Sequence, residues 1–150
     1  MNTIDQVKIE KAIEEDRQAV VDLLQEENLP VKDLPVSLQH FLVAKEENKI
    51  IGVIGLEIYG NLGLLRSFAV NKQYRNKRIA LQLLKNLENN AAAIGIEAIY
   101  LLTETAALYF EKKGYERINR EKAPKSIQGS SEFSTVCPAS AVVMTKRLVN

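Results

Sequence analysis

Three basic side chains, Arg75, Lys77 and Arg78, crowd one short stretch of the chain, with Asn76 between them. The chemistry such a stretch offers is anion binding. A β-rich run, Leu62–Val70, precedes it. An amphipathic run over residues 77–93 follows, with Ile79, Leu83, Leu84 and Leu87 at helical spacing. The start of a helix presents unpaired backbone N–H groups and a partial positive charge, so strand, basic turn and helix together make a seat for phosphate.

Other reactive residue types are spread more thinly. Arg66, followed by Ser67, breaks an apolar run and either grips an anionic group or pairs with Glu57 on the neighbouring strand. Glu104 follows the apolar run Ala98–Thr103, where it serves as a general base or as a carboxylate favourable to a helix N-terminus; Thr103 and Thr105 can cap that helix. Cys137 is the single cysteine, so no internal disulfide is expected, and its bland reading is a small buried thiol. Glu132, in the same segment, contacts a substrate amine or caps a turn. The one histidine, His40, has no assignable partner, and no metal site or Ser-His-Asp arrangement is expected. The glycine-rich fingerprint of a dinucleotide fold is absent after the first strand.

These residues need a scaffold, and the 150-residue chain is long enough to bury a real core in a single domain spanning residues 1–150. It is 46% apolar and 26% charged, with a net charge of +1, an ordinary globular balance that carries no field for nucleic acid or an anionic membrane. No run resembles a signal peptide or a membrane span, so the cytoplasm is the expected setting. The pattern predicts a strand over 7–13 and a helix over 14–27 that Asp16 can cap, its stripe formed by Val20, Leu23, Leu24 and Glu27. A strand over 41–45, a polar turn, Lys49–Tyr59, a second turn and Leu62–Val70 read as a three-stranded meander. After the 77–93 helix come strand Ala98–Thr103, a short helix over 106–113 stopped by Gly114, a strand over 115–120, a polar loop over 121–140 and a last strand over 141–148. The order β-α-β-β-β-α-β-α-β-β describes a mixed α/β (α+β) domain, with about four helices on a largely antiparallel sheet.

At the basic turn the chain resembles the GNAT family of N-acetyltransferases. The family pattern there is Arg/Gln-x-x-Gly-x-Gly/Ala, and Arg75, Ile79 and Ala80 match it, as do the strand end Phe68, Ala69, Val70 and the nearby Tyr74. Arg78 stands at the central glycine and Asn76 at the preceding one. A second mark is the run from Leu108 to Tyr115, similar to the family's aromatic, Glu, Lys, Gly, aromatic sequence. The tyrosine that many members place four residues before that glycine is Phe110 here, and Tyr109 is its neighbour. The C-terminal half, above all residues 132–141, resembles the arsenic-resistance N-acetyltransferase branch.

The resemblance implies acetyl-CoA as co-substrate, no metal, and transfer to a primary amine on a small, anionic molecule. It assigns the diphosphate to Arg75, Asn76, Lys77, Arg78, Ile79 and Ala80, and the pantetheine to Phe68, Ala69 and Val70, with Thr105 and Phe110 also at the cofactor. Glu104 and Tyr109 are the candidates for proton transfer; Arg66, Ser67, Glu132 and Cys137 face the acceptor. A homodimer is implied by the habit of relatives. Two rival readings stay open: a catalytically weak acyl-CoA sensor, kept alive by Arg78 and Phe110, and a protein or peptide N-acetyltransferase. Fold likeness alone does not decide among activities.

Overall fold

Val20, Leu23 and Leu24 recur at helical spacing and are all buried, forming the inner face of helix α1 (Arg17–Glu26). The structure is a computed structural model that describes residues 7–130, 133 and 140–148, with the side chains of residues 76 and 77 left undescribed. Its strands β1 (Val7–Lys11), β2 (Phe41–Glu46), β3 (Lys49–Tyr59), β4 (Leu62–Val70), β5 (Ala98–Thr103), β6 (Glu116–Ile118) and β7 (Val142–Arg147) form one sheet in the order β1-β2-β3-β4-β5-β7-β6. The expected meander of β2, β3 and β4 is present. The described chain divides into two compact units, the first running to Leu56 and resuming over Ser67–Asn90, the second comprising Glu57–Arg66 and the chain from Ala91 onward.

In the first unit β1, β2 and β3 pair antiparallel, with Val43 opposite Val53 and Ala44 opposite Gly52. Neighbouring residues of a strand point to opposite faces, so these two pairs mark two sides of the sheet. Val43 and Val53 belong to the cluster of α1, together with Leu38, Phe41 and Ala69. Gly52 lies under the second long helix, α2 (Ile79–Ala93): a Cβ added there would stand 2.9 Å from Leu83 Cδ1 and 3.3 Å from Ile79 Cγ2. The absence of a side chain at Gly52 lets the first turns of α2 lie close against β3.

The second unit is built on β5, which pairs in parallel with β4 over Leu62–Leu64 and antiparallel with β7 along its whole length. β7 in turn pairs with β6. Leu64, Ala123, Ile127, Phe133 and Val143 are its buried cluster. The short helices are α3 (Ala107–Lys112) and α4 (Lys125–Gln128). Helices α1, α2 and α3 end in the same way, with left-handed Asn28, Gly95 or Gly114 and the following N–H returning to a carbonyl five residues back.

Several boundaries differ from the sequence expectation. The 77–93 helix starts at Ile79, because Arg78 is left-handed (φ 62°, ψ 19°) and cannot be its first helical residue. Asp16 does not cap α1 through its side chain. Its carboxylate accepts from the Ile13 N–H at 2.9 Å and lies 3.1 Å from Lys45 Nζ, so it ties a 3-10 turn at Glu14–Asp16 to β2. The 115–120 strand is shortened because the Tyr115 N–H is used by Phe110 in the close of α3. The loop over 121–140 carries α4, preceded by a 3-10 turn at Arg120–Lys122. No helix among the described residues is long and apolar enough to cross a membrane.

Candidate active site

Within the first unit the chain from Ser67 to Ala80 supplies the groups expected to hold an anionic ligand. Ser67 has a left-handed backbone (φ 57°) and so interrupts the two-residue alternation of β4 just before Phe68. Ala69 and Val70 are buried, Phe68 is half-buried. The strand end is pinned by the Asn71 N–H, which donates to Ile51 O at 2.8 Å. Asn71 then opens the basic turn: its side chain accepts from Gln73 N–H at 2.9 Å, and its carbonyl accepts from Tyr74 N–H at 2.8 Å. Lys72–Lys77 form a 3-10 turn closed by left-handed Arg78.

Arg78 is where the family pattern has glycine, and it adopts the conformation for which glycine is usually needed. A non-glycine residue there costs about 1–2 kcal/mol. The gain is directional. The Arg78 carbonyl accepts the first helical bond of α2, from Gln82 N–H at 3.1 Å. The amides of Ile79, Ala80 and Leu81 therefore precede the first intrahelical bond, as the opening donors of any helix do. Ile79 itself is buried, 1% exposed, which holds this end of α2 in place. The Arg78 side chain is exposed.

Two neighbouring side chains brace the same turn. Tyr74 donates from its hydroxyl to Glu46 at 2.7 Å, and this bond chiefly holds its phenol above the ordinary pKa. Arg75 donates from Nε to the Val70 carbonyl at 3.3 Å and pairs through Nη2 with Glu27. Glu27 was expected only as a member of the α1 stripe; a charged residue on that otherwise apolar face was the available signal that it had a partner.

The second unit gathers a different set. Arg66, with no side-chain exposure, donates to Glu57 Oε2 at 2.6 Å. Tyr59 donates to the other oxygen of that carboxylate at 2.5 Å. Burial, then the bond to Glu57, pushes the Tyr59 phenol well above its ordinary pKa. Of the two readings of Arg66, the structure displays the pair with Glu57. Tyr59 and Ser130 carry no sequence signal, because nothing local distinguishes a strand-end tyrosine or a loop serine. Ser130 is buried and accepts from the Phe133 N–H at 3.4 Å, while Arg120 donates to the Phe133 carbonyl at 3.0 Å and lies 5.2 Å from its ring.

Also in this unit, Thr103 Oγ1 accepts from Ala106 N–H at 2.9 Å, closing the turn that carries exposed Glu104 and Thr105. The Phe110 ring is buried and packs edge-on against Tyr109 and Tyr115, each 5.4 Å away between centroids. That packing gives Phe110 a core role within the unit. The Tyr109 hydroxyl is buried. Glu132 and Cys137 lie outside the described residues, as do the side chains of Asn76 and Lys77. Among the described residues no group of three or more His, Cys, Asp or Glu side chains is arranged to hold a metal ion.

Residues 37–117 match the model of the acetyltransferase (GNAT) domain. The chain is 29% identical over 127 residues to an amino-acid acetyltransferase of Pseudomonas syringae pv. syringae; the match covers 79% of this chain and 29% of that protein. It is 29% identical over 98 residues to an uncharacterized N-acetyltransferase of Chlorobaculum tepidum, covering 65% of this chain and 63% of that one. The chain thus spans under a third of the length of the amino-acid acetyltransferases it matches. Among solved structures it resembles N-acetylglutamate synthase from Neisseria gonorrhoeae complexed with coenzyme A and N-acetyl-glutamate, with a TM-score of 0.83 at 17% identity, over 96% of this chain and 35% of that one. It also resembles a Mycobacterium tuberculosis protein in complex with CoA and NLQ, with a TM-score of 0.77 at 20% identity, over 95% of this chain and 99% of that one. At these identities the likeness is one of fold.

Proposed function

The chain belongs to the acetyltransferase (GNAT) family, and from that premise we propose that it moves the acetyl group of acetyl-CoA to the primary amine of a small, carboxylate-bearing acceptor of amino-acid type. The observation that carries the reading is the left-handed Arg78, the conformation a glycine would take, after which α2 starts at Ile79; a helix start so placed would offer its first amides to an anion. These amides, with Arg75 and the exposed Arg78, fit a diphosphate: a helix N-terminus favours negative charge, and guanidinium groups bind phosphate oxygens through paired N–H donors. Asn76 and Lys77 complete the assignment. The Phe68 and Val70 backbone would hold the pantetheine as an added strand, and the Ala69 or Val70 amide would polarise the acetyl carbonyl.

When bound, acetyl-CoA supplies an activated thioester with a tolerable leaving group. The chain's own work is then to position an amine, to remove its proton and to return one to the thiolate. We assign proton removal to Glu104, directly or through water, and proton return to Tyr109. Arg66, Ser67, Glu132 and Cys137 are assigned to the acceptor side, Arg66 acting together with Glu57. The amino-acid class of acceptor draws on relatives that carry that name. A single domain over the whole chain, a cytoplasmic setting, a homodimer and a link to arsenic resistance belong to the same proposal. The family match crossing both units supports the first, the lone cysteine the second, and the family resemblance the last two.

Calorimetry with acetyl-CoA, followed by a thiol-release assay over amino acids, other amines and peptides, tests the proposal. Binding followed by turnover on an amino acid is expected. Binding without turnover on any amine would replace the enzyme by a sensor, turnover on peptides alone would replace the acceptor class, and no binding would end the reading.

A further inference from the structure

Arg75 stands where three elements of the first unit converge. Its Nε is held by Val70 O at the end of β4, its Nη2 pairs with Glu27 at the end of α1, and its own backbone lies in the turn that leads to α2. The two partners are unequally exposed. The Arg75 side chain keeps 53% of its surface open, whereas Glu27 keeps 11%. The guanidinium thus faces solvent while the carboxylate is tucked beneath it. Glu27 is also the residue that closes α1, with its N–H bonded to Leu23 and Leu24 carbonyls. A helix C-terminus carries partial negative charge, so a carboxylate is disfavoured there unless a cation sits beside it. Arg75 is that cation.

An arginine has five N–H donors in a fixed fork, and these contacts engage Nε and one Nη nitrogen. A fork held on two sides with an open edge is oriented for a second anion. That anion would meet a guanidinium whose charge is already offset by a carboxylate.

We propose that Glu27 is a built-in counter-charge of the diphosphate seat: it orients Arg75 in the ligand-free protein and shares or releases it when the diphosphate binds, so that its charge sets how tightly the nucleotide end of CoA is held. The proposal rests on the acetyl-CoA reading above and adds to it a residue that never touches the reacting groups.

The test is Glu27→Gln in the full chain, which keeps the shape and a hydrogen-bond acceptor while removing the charge. Acetyl-CoA should bind about five-fold more tightly, the equivalent of a favourable surface ion pair. Acetyl-pantetheine, which lacks the diphosphate, should bind unchanged. Glu27→Asp should bind acetyl-CoA like the wild type. In an Arg75→Gln background the gain from Glu27→Gln should vanish. An unchanged or weakened acetyl-CoA affinity, an equal effect on both ligands, or a gain that persists without Arg75 would each overturn the proposal. Wild-type binding with an indifferent Glu27→Gln variant would sink this inference alone, whereas a wild type that does not bind acetyl-CoA would remove the functional reading and this inference with it.

Discussion

Arg66 reaches from β4 to Glu57 on β3, its Nη1 2.6 Å from the carboxylate and its side chain wholly buried. Desolvating a guanidinium is tolerable only with such a partner, and the second carboxylate oxygen is fixed in turn by Tyr59. Removing one partner is therefore worse than removing both. Glu57→Gln should lower unfolding stability by about 3–5 kcal/mol, the range for a buried pair broken on one side, and adding Arg66→Met should recover part of it. Urea denaturation of the two single variants and the double variant checks this; additive losses would refute it.

Tyr59 gives the molecule a pH response at the alkaline end. Its folded-state pKa is raised, by burial and by Glu57, so the folded chain keeps the phenolic proton longer than the unfolded chain does. Stability from this group is present in full below about pH 10, the ordinary tyrosine value, and is lost as the pH climbs from there towards the folded-state pKa. A Tyr59→Phe variant should lose stability less steeply above that pH than the wild type, as read from melting temperatures across an alkaline series.

Left-handed Arg78 separates backbone strain from charge. Arg78→Gly should raise stability by about 1 kcal/mol, because the strain of a side chain at φ 62° is removed. Its acetyl-CoA affinity should nevertheless fall severalfold, since the exposed guanidinium would be lost from the proposed diphosphate seat. Thermal melting and calorimetry on the same variant measure the two effects; tighter binding would mean that the side chain obstructs the ligand.

Gly52 lets α2 settle on β3. In Gly52→Ala the new methyl would stand 2.9 Å from Leu83 Cδ1, and Leu83 must repack inside a closed core. A net loss of about 1–2 kcal/mol is expected, within the usual cost of overpacking, together with weaker acetyl-CoA binding as Ile79 and its amide move. Equal stability and equal affinity would show that the helix is not seated by this contact.

Much of this architecture is local and could be read from the chain. β4 and β5 have the expected bounds, because continuous apolar runs between polar turns leave few alternatives. The start of α2 was placed at residue 77 on hydrophobic spacing, which is insensitive to one left-handed residue; only the backbone angle of Arg78 moves it to Ile79. Asp16 has the right residue type for a cap, yet Lys45 and the Ile13 amide draw it elsewhere. The partner of Arg75 was hidden for a similar reason. Glu27 lies on another element, and no periodicity connects the two. Glu57 can be offered from sequence as one of two readings for Arg66, because their strands are joined by a short turn; the structure displays that pair. The order β5-β7-β6 was beyond reach, since pairing between distant strands leaves no trace in local pattern.

That strand order has a consequence for how the chain acquires its structure. Thr103 of β5 pairs with Val142, and Ala98 pairs with Arg147. During synthesis β5 and the residues of β6 leave the ribosome long before the strand that separates them in the sheet. Contacts so distant in sequence form slowly, and an unpaired strand edge recruits other chains while it waits. The second unit should therefore complete its sheet late, and the interval between the emergence of β5 and the arrival of β7 leaves a strand edge open to other chains.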